Sequence, residues 1–183
     1  METWQIDKLL SDVPGFVGTF PCNMLKKPPS RRRGPAAYVI NTQPIDLSSS
    51  SSSSNKGVGG EHWVALILKP NGGADYHDSY GLPPIAAEIT NFILDHTDTE
   101  FKCSAQAIQD PLSRTCGAHC VDYLRQRIGA KGSKKKKTDT KKKYLGRFHA
   151  NLHANDRQVV ERLTCQLSPR LRACGLDLKT LLS

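Results

Sequence analysis

A glutamine precedes a cysteine by seven residues in the segment Gln109-Asp-Pro-Leu-Ser-Arg-Thr-Cys116-Gly117. The cysteine opens a stretch patterned as a helix, so its thiol would lie beside unpaired N–H groups and the positive end of the helix dipole, which favour the thiolate. The Gln109 amide could donate hydrogen bonds to an oxyanion that forms next to the sulfur. This pattern favours nucleophilic catalysis by Cys116.

A base for this thiol is predicted upstream, at His62. This residue begins an apolar run typical of a buried strand, and a turn at 69–73 leads into a second strand that ends near Asp78. A hairpin would bring Asp78 beside His62, where the carboxylate could orient the imidazole through its second nitrogen. Strand alternation places Asp75 and His77 on the face opposite Asp78, which makes them weaker candidates.

His119 is a rival base on the same helix as the cysteine. It follows Cys116 by three residues, and side chains at this spacing are neighbours on a helix. No carboxylate stands out in the sequence as its orienter, so packing or a surface contact is the preferred interpretation. Cys120, one turn further along the apolar face, is interpreted as a core residue.

Two further arrangements would use histidines that follow the lysine-rich segment. A papain-type order would take its base from His149 or His153 and its orienting amide from Asn151 or Asn155. It is disfavoured because little chain remains there to build a second catalytic lobe. Zinc could be held by the C-x3-C pair that begins at Cys116 and by the two histidines, but the long gap does not suit a compact finger. No metal site is predicted.

Hydrophobic periodicity and turn residues predict an α+β fold that would position these groups. Helices are predicted at 3–11, 84–95, 116–128 and from about 155, and extended segments at 16–20, 38–40, 62–68, 74–79 and 101–108. Thr3 could cap the first helix, with Trp4 facing the core, and Thr115 could cap the third helix. The size of the chain predicts one domain over residues 1–183, with flexible insertions at about 26–35, 47–60 and 130–143.

The formal net charge of +9 is concentrated in two segments. Residues 26–33 carry a net charge of +5 and residues 131–143 a net charge of +7, while the rest of the chain is mildly acidic. Such segments are typical of polyanion binding or nuclear import. The candidate DNA-binding residues are Arg31, Arg32, Arg33, Lys134, Lys135, Lys136, Lys137, Lys141, Lys142 and Lys143. No aromatic residues alternate with these charges, so phosphate contacts are expected rather than base stacking.

Composition narrows the class of protein. A hydrophobic content of 38% with a mean hydropathy of −0.46 is typical of a soluble globule. No apolar run approaches the ~18 residues of a membrane span, and the start of the sequence lacks the pattern of a secretory signal. Without such a signal, six irregularly spaced cysteines indicate reduced thiols in an intracellular protein. No membrane partner is expected, because the sequence has no apolar run of spanning length.

Several segments resemble the adenovirus-protease (adenain) family of cysteine peptidases, which is related to the SUMO-type ubiquitin-like-protein proteases. The order His, Asp, Gln, Cys is the order of catalytic residues in that family. The similar segments are Gly15-Phe-Val-Gly-Thr-Phe20, Ala37-Tyr-Val-Ile-Asn-Thr42, Gly59-Gly-Glu-His-Trp-Val-Ala65, Tyr76-His-Asp-Ser-Tyr-Gly81 and Ile108-Gln-Asp-Pro-Leu-Ser-Arg-Thr-Cys-Gly117. The similarity extends over roughly residues 1–128, and several motifs in the right order are more specific than one.

The resemblance implies the adenain fold, with a central mixed β-sheet flanked by helices and the nucleophile at a helix N-terminus. It implies Cys116 as nucleophile and His62 as base. It implies Asp78 as orienter, where adenain has Glu, and Gln109 in the oxyanion hole. It also implies an endopeptidase that cleaves capsid or core precursor proteins during particle maturation. The protein is expected to be a monomer that acts in the host nucleus or the virion.

Adenain-like enzymes also occur in Maverick/Polinton-type transposons and related DNA viruses, and the serine tract and lysine run favour such a relative. The family requires no cofactor and is stimulated by DNA and by a viral peptide. Cys103 lies at a different distance from Gln109 than the peptide-linked cysteine of adenain, so that link is not carried over. The alternative functions are a deubiquitinase or deSUMOylase, and a catalytically inactive DNA-binding capsid-associated module.

Overall fold

The computed structural model describes residues 1–29, 34–45, 62–99, 101, 103–129 and 140–182. Its helices are α1 (Thr3–Leu10), α2 (Ala87–Leu94), α3 (Cys116–Ile128), α4 (Lys141–Leu145), α5 (Leu152–Ala173) and α6 (Leu178–Leu182). Its strands are β1 (Phe16–Pro21), β2 (Ala36–Asn41), β3 (Trp63–Leu68) and β4 (Ala74–His77), with a short 3-10 helix at Cys22–Met24. The predicted α+β class is confirmed.

The four strands form one mixed sheet in the order β1-β2-β3-β4. β1 and β2 are parallel, whereas β2–β3 and β3–β4 are antiparallel. The predicted hairpin is therefore confirmed, with Leu68 opposite Ala74 near its turn and Ala65 opposite His77 near its open end. That open end brings the residue before β3 close to the residue after β4.

Both faces of the sheet are covered, which explains the continuous apolar runs in β2 and β3. Every residue of these two strands is buried. Alternate side chains point to a core shared with α1, α3, α4, α5 and α6, among them Ala37, Val39, Trp63, Ala65 and Ile67. The intervening side chains point to a second core shared with α2, among them Tyr38, Ile40, Val64, Leu66 and Leu68.

The N-cap residue of the first helix and its core-facing residues differ from the prediction. Glu2, not Thr3, is the N-cap residue, and it forms a reciprocal capping box with Gln5. Trp4 is 52% exposed, so its predicted place in the core is wrong. The buried residues Ile6, Leu9 and Leu10 define the inner stripe of the helix, and Trp4 lies two positions before it, on the far side at 3.6 residues per turn.

The C-terminal third contains more helix than predicted. α4 begins at Lys141 with Thr140 as its cap, so the end of the predicted insertion 130–143 is helical. α5 begins at Leu152, earlier than predicted, because the Asn151 side chain accepts a hydrogen bond from Ala154 N–H. The rest of that insertion and the predicted insertion 47–60 lie outside the described residues.

The packing of α3 on β3 fixes where the cysteine lies. A Cβ atom at Gly117 would lie 3.5 Å from Cδ1 of Trp63, so the first turn of α3 approaches the start of β3 closely. Trp63 itself is 2% exposed and belongs to the core that α3 completes. The first residue of α3 is therefore held near the residue that precedes β3, which is His62.

Candidate active site

The structure places His62 and Asp78 side by side at the open end of the β3–β4 hairpin. His62 Nε2 lies 2.9 Å from Asp78 Oδ1. The Asp78 side chain is 3% exposed, whereas that of His62 is 14% exposed. The same carboxylate oxygen accepts a hydrogen bond of 2.7 Å from the Tyr80 N–H. A buried carboxylate fixed by its own turn is thus available to orient the imidazole.

Tyr80 holds the other side of the imidazole and was not identified from the sequence. Its ring is stacked on that of His62, with the ring centroids 4.6 Å apart and the planes 21° apart. The sequence signal that could have identified Tyr80 is an aromatic residue two positions after the candidate orienter Asp78. The ring of His62 is consequently constrained by a hydrogen bond at one edge and by stacking on one face.

Cys116 is the first residue of α3, with Thr115 as the N-cap residue. It is 6% exposed, and all six cysteines of the chain are free thiols. The Asp78 carboxylate occupies Nε2 of His62. The other ring nitrogen, Nδ1, is thus available to the sulfur. It is buried and has no hydrogen-bond partner among the described residues. The first turn of a helix also presents N–H groups that have no partner within the helix.

The surroundings of His62 favour its protonated form. Burial by itself lowers the pKa of the imidazole, but the hydrogen bond with Asp78 and interactions with Asp78 and Cys116 outweigh burial and raise the pKa to about 9. At neutral pH the ring is then an imidazolium beside the cysteine. Such an arrangement stabilises a thiolate and provides a proton for a leaving group.

Gln109 is fully buried, and its side chain is held by several partners. Its Oε1 accepts from the Ser79 hydroxyl at 2.5 Å. Its Nε2 donates to the Tyr80 hydroxyl at 3.2 Å and to the Ser113 carbonyl and hydroxyl at 3.1 and 3.2 Å. Donation to an oxyanion would therefore require one amide hydrogen to leave Ser113 or Tyr80.

The segment that carries Gln109 is joined to the segment that carries Asp78. The Ser79 carbonyl accepts hydrogen bonds from the N–H groups of Ile108 and Gln109. Gly81 adopts a φ of +75°, and a Cβ atom there would lie 2.7 Å from the backbone nitrogen of Ala107. A side chain at Gly81 would force these two segments apart, which explains the glycine.

The rival base His119 has a carboxylate partner after all. Its Nε2 lies 2.8 Å from Asp156 Oδ1 of α5, and both side chains are almost completely buried. The expectation that His119 lacks an orienter was wrong, as was the option of a surface contact. His62 remains the better candidate base, because the Cys116 thiol is among the groups that set its pKa.

The other upstream candidates lie on the opposite face of β4, as alternation predicts. His77 is stacked on Tyr123 of α3, with centroids 4.1 Å apart, and neither of its ring nitrogens has a hydrogen-bond partner within the described part of the chain. Burial lowers its pKa well below the ordinary value. Asp75 pairs with Lys69 and Arg127. Both side chains belong to the interface with α3 rather than to the group around Cys116.

The downstream candidates have structural contacts. Asn151 caps α5, and the Asn155 side chain bonds to both backbone groups of His149. His153 is exposed on the first turn of α5. Among the residues that the structure describes, no group of three or more His, Cys, Asp or Glu side chains could hold a metal ion. In the same part of the chain, no helix is long and apolar enough to cross a membrane.

Seven of the ten candidate DNA-binding residues lie outside the part of the chain that the structure describes. They are Arg31 to Arg33 and Lys134 to Lys137. Lys141 is partly buried and donates a hydrogen bond to the Tyr76 carbonyl at 2.6 Å, so it joins α4 to β4. Lys142 and Lys143 are exposed on α4.

A scan against protein-family models gives no match, and a search of curated proteins gives none either.

Proposed function

We propose that the chain is a cysteine endopeptidase with Cys116 as nucleophile and His62 as acid and base. The observation that supports this most directly is the position of His62. Its Nε2 lies 2.9 Å from the Asp78 carboxylate, and its pKa is raised to about 9 by Asp78 and Cys116 together. An imidazolium held in this way keeps a neighbouring thiolate available for attack.

The proposed reaction has two stages. The Cys116 thiolate attacks the peptide carbonyl carbon, a C–S bond forms, and the carbonyl oxygen becomes an oxyanion. When the C–N bond breaks, the His62 imidazolium gives its proton to the leaving amine. Neutral His62 then takes a proton from water, which attacks the thioester and releases the acid and the thiolate.

The oxyanion needs preorganised donors close to the sulfur. The Cys116 backbone N–H, in the first turn of α3, is one candidate. The Gln109 amide is the other, provided that substrate binding turns one of its hydrogens away from Ser113 or the Tyr80 hydroxyl. Such a change on binding is compatible with hydrogen bonds that tighten only in the reacting complex.

For substrates, the proposal extends to the adenain-like family. The motif order that resembles this family covers residues 1–128, and an α+β fold with a mixed four-strand sheet is compatible with it. The proposed substrates are capsid or core precursor proteins of a DNA virus or a Maverick/Polinton-type transposon. DNA is the proposed stimulating partner because of the two basic segments.

The first test compares the reactivity of the six thiols. Iodoacetamide should alkylate Cys116 of the folded wild type much faster than the other five cysteines, and His62→Gln should remove this difference. Cys165, which is exposed, is the matched control, since accessibility alone would make it the more reactive thiol. If Cys116 reacts no faster than Cys165, the chain is an inactive module rather than a peptidase.

The second test identifies what is cut. Precursor proteins incubated with the wild type should give fragments whose new N-termini can be sequenced, and Cys116→Ala should give none. Cys120→Ala, one turn further along α3, should still cut. Release of a reporter from the C-terminus of ubiquitin or SUMO, without cleavage of precursors, would instead assign the chain to the deubiquitinase or deSUMOylase class.

A further inference from the structure

A carboxylate of α5 bonds to the start of the segment between the candidate oxyanion glutamine and the candidate nucleophile, and to the helix that follows it. Asp156 is 1% exposed. Its Oδ2 accepts from the Asp110 N–H at 3.2 Å, and its Oδ1 lies 2.8 Å from His119 Nε2. Asp110 directly follows Gln109, and His119 lies one helical turn after Cys116. The two contacts therefore lie on either side of the segment.

Two hydroxyl groups inside the segment complete this arrangement. Burial raises the pKa of Asp156, but interactions with the side chains of His119, Ser113 and Thr115 outweigh burial and leave the pKa below its ordinary value. Ser113 and Thr115 also bond to each other, with their hydroxyl oxygens 2.9 Å apart. The carboxylate is thus ionised, and it bonds to Asp110 at the start of the segment and to His119 just beyond its end.

The segment in turn holds the Gln109 amide. Nε2 of Gln109 donates to the Ser113 carbonyl and hydroxyl. The N–H and hydroxyl of Ser113 donate to the Asp110 carbonyl, and the Asp110 N–H in turn donates to Asp156. A shift of Ser113 would change the direction in which the amide hydrogens point. The candidate base and its orienter, by contrast, come from the β3–β4 hairpin and bond to each other.

We infer that Asp156 is a positioning residue of the proposed peptidase: its carboxylate holds residues 109–115 so that the Gln109 amide stays in register with Cys116. This inference rests on the proposed function and extends it to α5, which lies outside the segments that resemble the adenain family. It assigns no proton transfer to Asp156. It also explains why His119, a buried histidine with a carboxylate partner, need not be a second base.

The test separates the oxyanion step from the reactivity of the thiol. Hydrolysis of a peptide requires the oxyanion donors, whereas alkylation of Cys116 by iodoacetamide requires only the thiolate and His62. For Asp156→Asn we expect kcat to fall about 10²-fold, as for a misplaced catalytic group, with KM and the alkylation rate of Cys116 nearly unchanged. Activity is expressed per folded molecule, at a temperature well below the Tm of the variant.

Asp122→Asn is the matched control. Asp122 is also a buried carboxylate between α3 and α5, since it accepts from Arg162 at 2.6 Å and from the Tyr144 hydroxyl at 3.0 Å. These partners belong to α4 and α5 and not to the segment 109–115. This variant should lose stability and keep kcat. Thr115→Val removes the hydroxyl that bonds to Ser113 and leaves Asp156 unchanged. It provides a second test of the same segment if Asp156→Asn does not fold, and it should lower kcat in the same way.

Two outcomes would overturn the inference. If Asp156→Asn and Thr115→Val lower only the Tm, as Asp122→Asn should, Asp156 is a structural residue. If hydrolysis and alkylation fall in parallel, Asp156 acts on the thiol rather than on the glutamine. Failure of the proposed function is distinguishable from both, because the wild type would then neither hydrolyse a precursor nor show a fast-reacting Cys116.

Discussion

Three consecutive residues connect the candidate base with the candidate oxyanion segment. Asp78 bonds to His62, and the Ser79 hydroxyl donates to the side-chain Oε1 of Gln109. Tyr80 contacts both partners, because its ring stacks on His62 and its hydroxyl accepts from the Gln109 amide. The position of the imidazole and the orientation of the amide thus depend on a single turn after β4.

The first prediction concerns Asp78. Asp78→Asn removes the negative charge that helps to raise the pKa of His62 to about 9. A raised pKa keeps the imidazolium charged up to alkaline pH, so its loss moves the alkaline limb of the kcat/KM profile to lower pH. We expect kcat/KM at neutral pH to fall about 10²-fold, which is typical of impaired acid–base catalysis. Peptide hydrolysis across the pH range measures both effects.

Asp75→Asn is the control for this prediction. Asp75 is buried on β4, the strand that Asp78 follows, but it faces α3 and pairs with Lys69 and Arg127. Its variant should unfold at a lower temperature and retain the alkaline limb of the wild type. Equal displacement of the limb in both variants would refute the assignment of Asp78 as the orienter.

For single residues, the sequence predicted contacts between side chains close in the chain better than contacts between distant ones. Strand alternation separated Asp78 from Asp75, and the hairpin placed Asp78 next to His62. The partner of His119 could not be predicted, because Asp156 lies 37 residues away on a helix whose packing no local pattern specifies. The hydrogen bonds of the Gln109 amide likewise depend on the packing of two loops.

The contact between β4 and α3 provides a prediction at the scale of secondary-structure elements. His77 of β4 is fully buried against Tyr123 of α3 and Tyr144 of α4, and among the described residues neither of its nitrogens has a hydrogen-bond partner. Burial, and to a smaller extent the charges of His119, Lys141 and His62, lower its pKa well below 6.5. The folded protein therefore excludes a proton that the unfolded chain binds.

The sign of the pH effect follows from this difference. Above pH 6.5 neither state binds a proton at His77, so the residue adds no pH dependence to stability. Below pH 6.5 only the unfolded state is protonated, and the free energy of unfolding should fall by up to about 1.4 kcal/mol per pH unit. His77→Phe should remove this acid-dependent decrease in the free energy of unfolding. Urea unfolding of both proteins at pH 6.5 and 5.5 measures the decrease.

His153→Gln is the matched control for that measurement, since His153 is exposed on α5. It should leave the acid-dependent loss of stability as in the wild type. If His77→Phe and the wild type lose the same free energy of unfolding between the two pH values, the loss comes from other groups and His77 is not its source.

The elements themselves were predicted where periodicity was strong and missed where it was short. The two apolar runs that form β2 and β3 and the patterned helix α3 appear near their predicted bounds. α4 was missed because five residues, three of them lysines, carry too little apolar pattern. The buried Tyr144, whose hydroxyl donates to Asp122 at 3.0 Å, is what holds this short helix on α3.

At the scale of the whole molecule, charge gives a prediction about DNA. Lys134 to Lys137 contribute four positive charges within the strongly basic segment. Changing all four to Gln should weaken binding to duplex DNA and reduce the slope of log K against log salt by about 0.9 for each phosphate that is no longer neutralised. Fluorescence anisotropy at several salt concentrations measures the slope.

The control removes the same charge elsewhere. Lys8, Arg157, Arg172 and Lys179 are exposed basic residues outside both basic segments. Their combined change to Gln should lower affinity only slightly and preserve the slope. An unchanged slope in the variant of Lys134 to Lys137 would show that this segment makes no phosphate contacts.

Contacts between distant parts of the chain hold α1, α3 and α5 together. Asp12, just after α1, accepts from Arg125 of α3 at 2.7 Å and from Arg170 of α5 at 2.5 Å. The apolar core shared by these helices contains Leu9, Leu124 and Leu163. The C-terminal helices are thus part of the body that supports the candidate site, although the recognisable motifs end before them.

The contacts of Asp156 also have a consequence for the timing of activity during synthesis. A nascent chain that has emerged as far as Gly129 already contains His62, Asp78, Gln109 and Cys116, but it lacks the carboxylate that holds residues 109–115. If Asp156 positions the Gln109 amide, such a chain has a nucleophile without an ordered oxyanion site. The proposed peptidase would reach full activity only when α5 has left the ribosome and docked, so incomplete chains would cleave the proteins around them far more slowly.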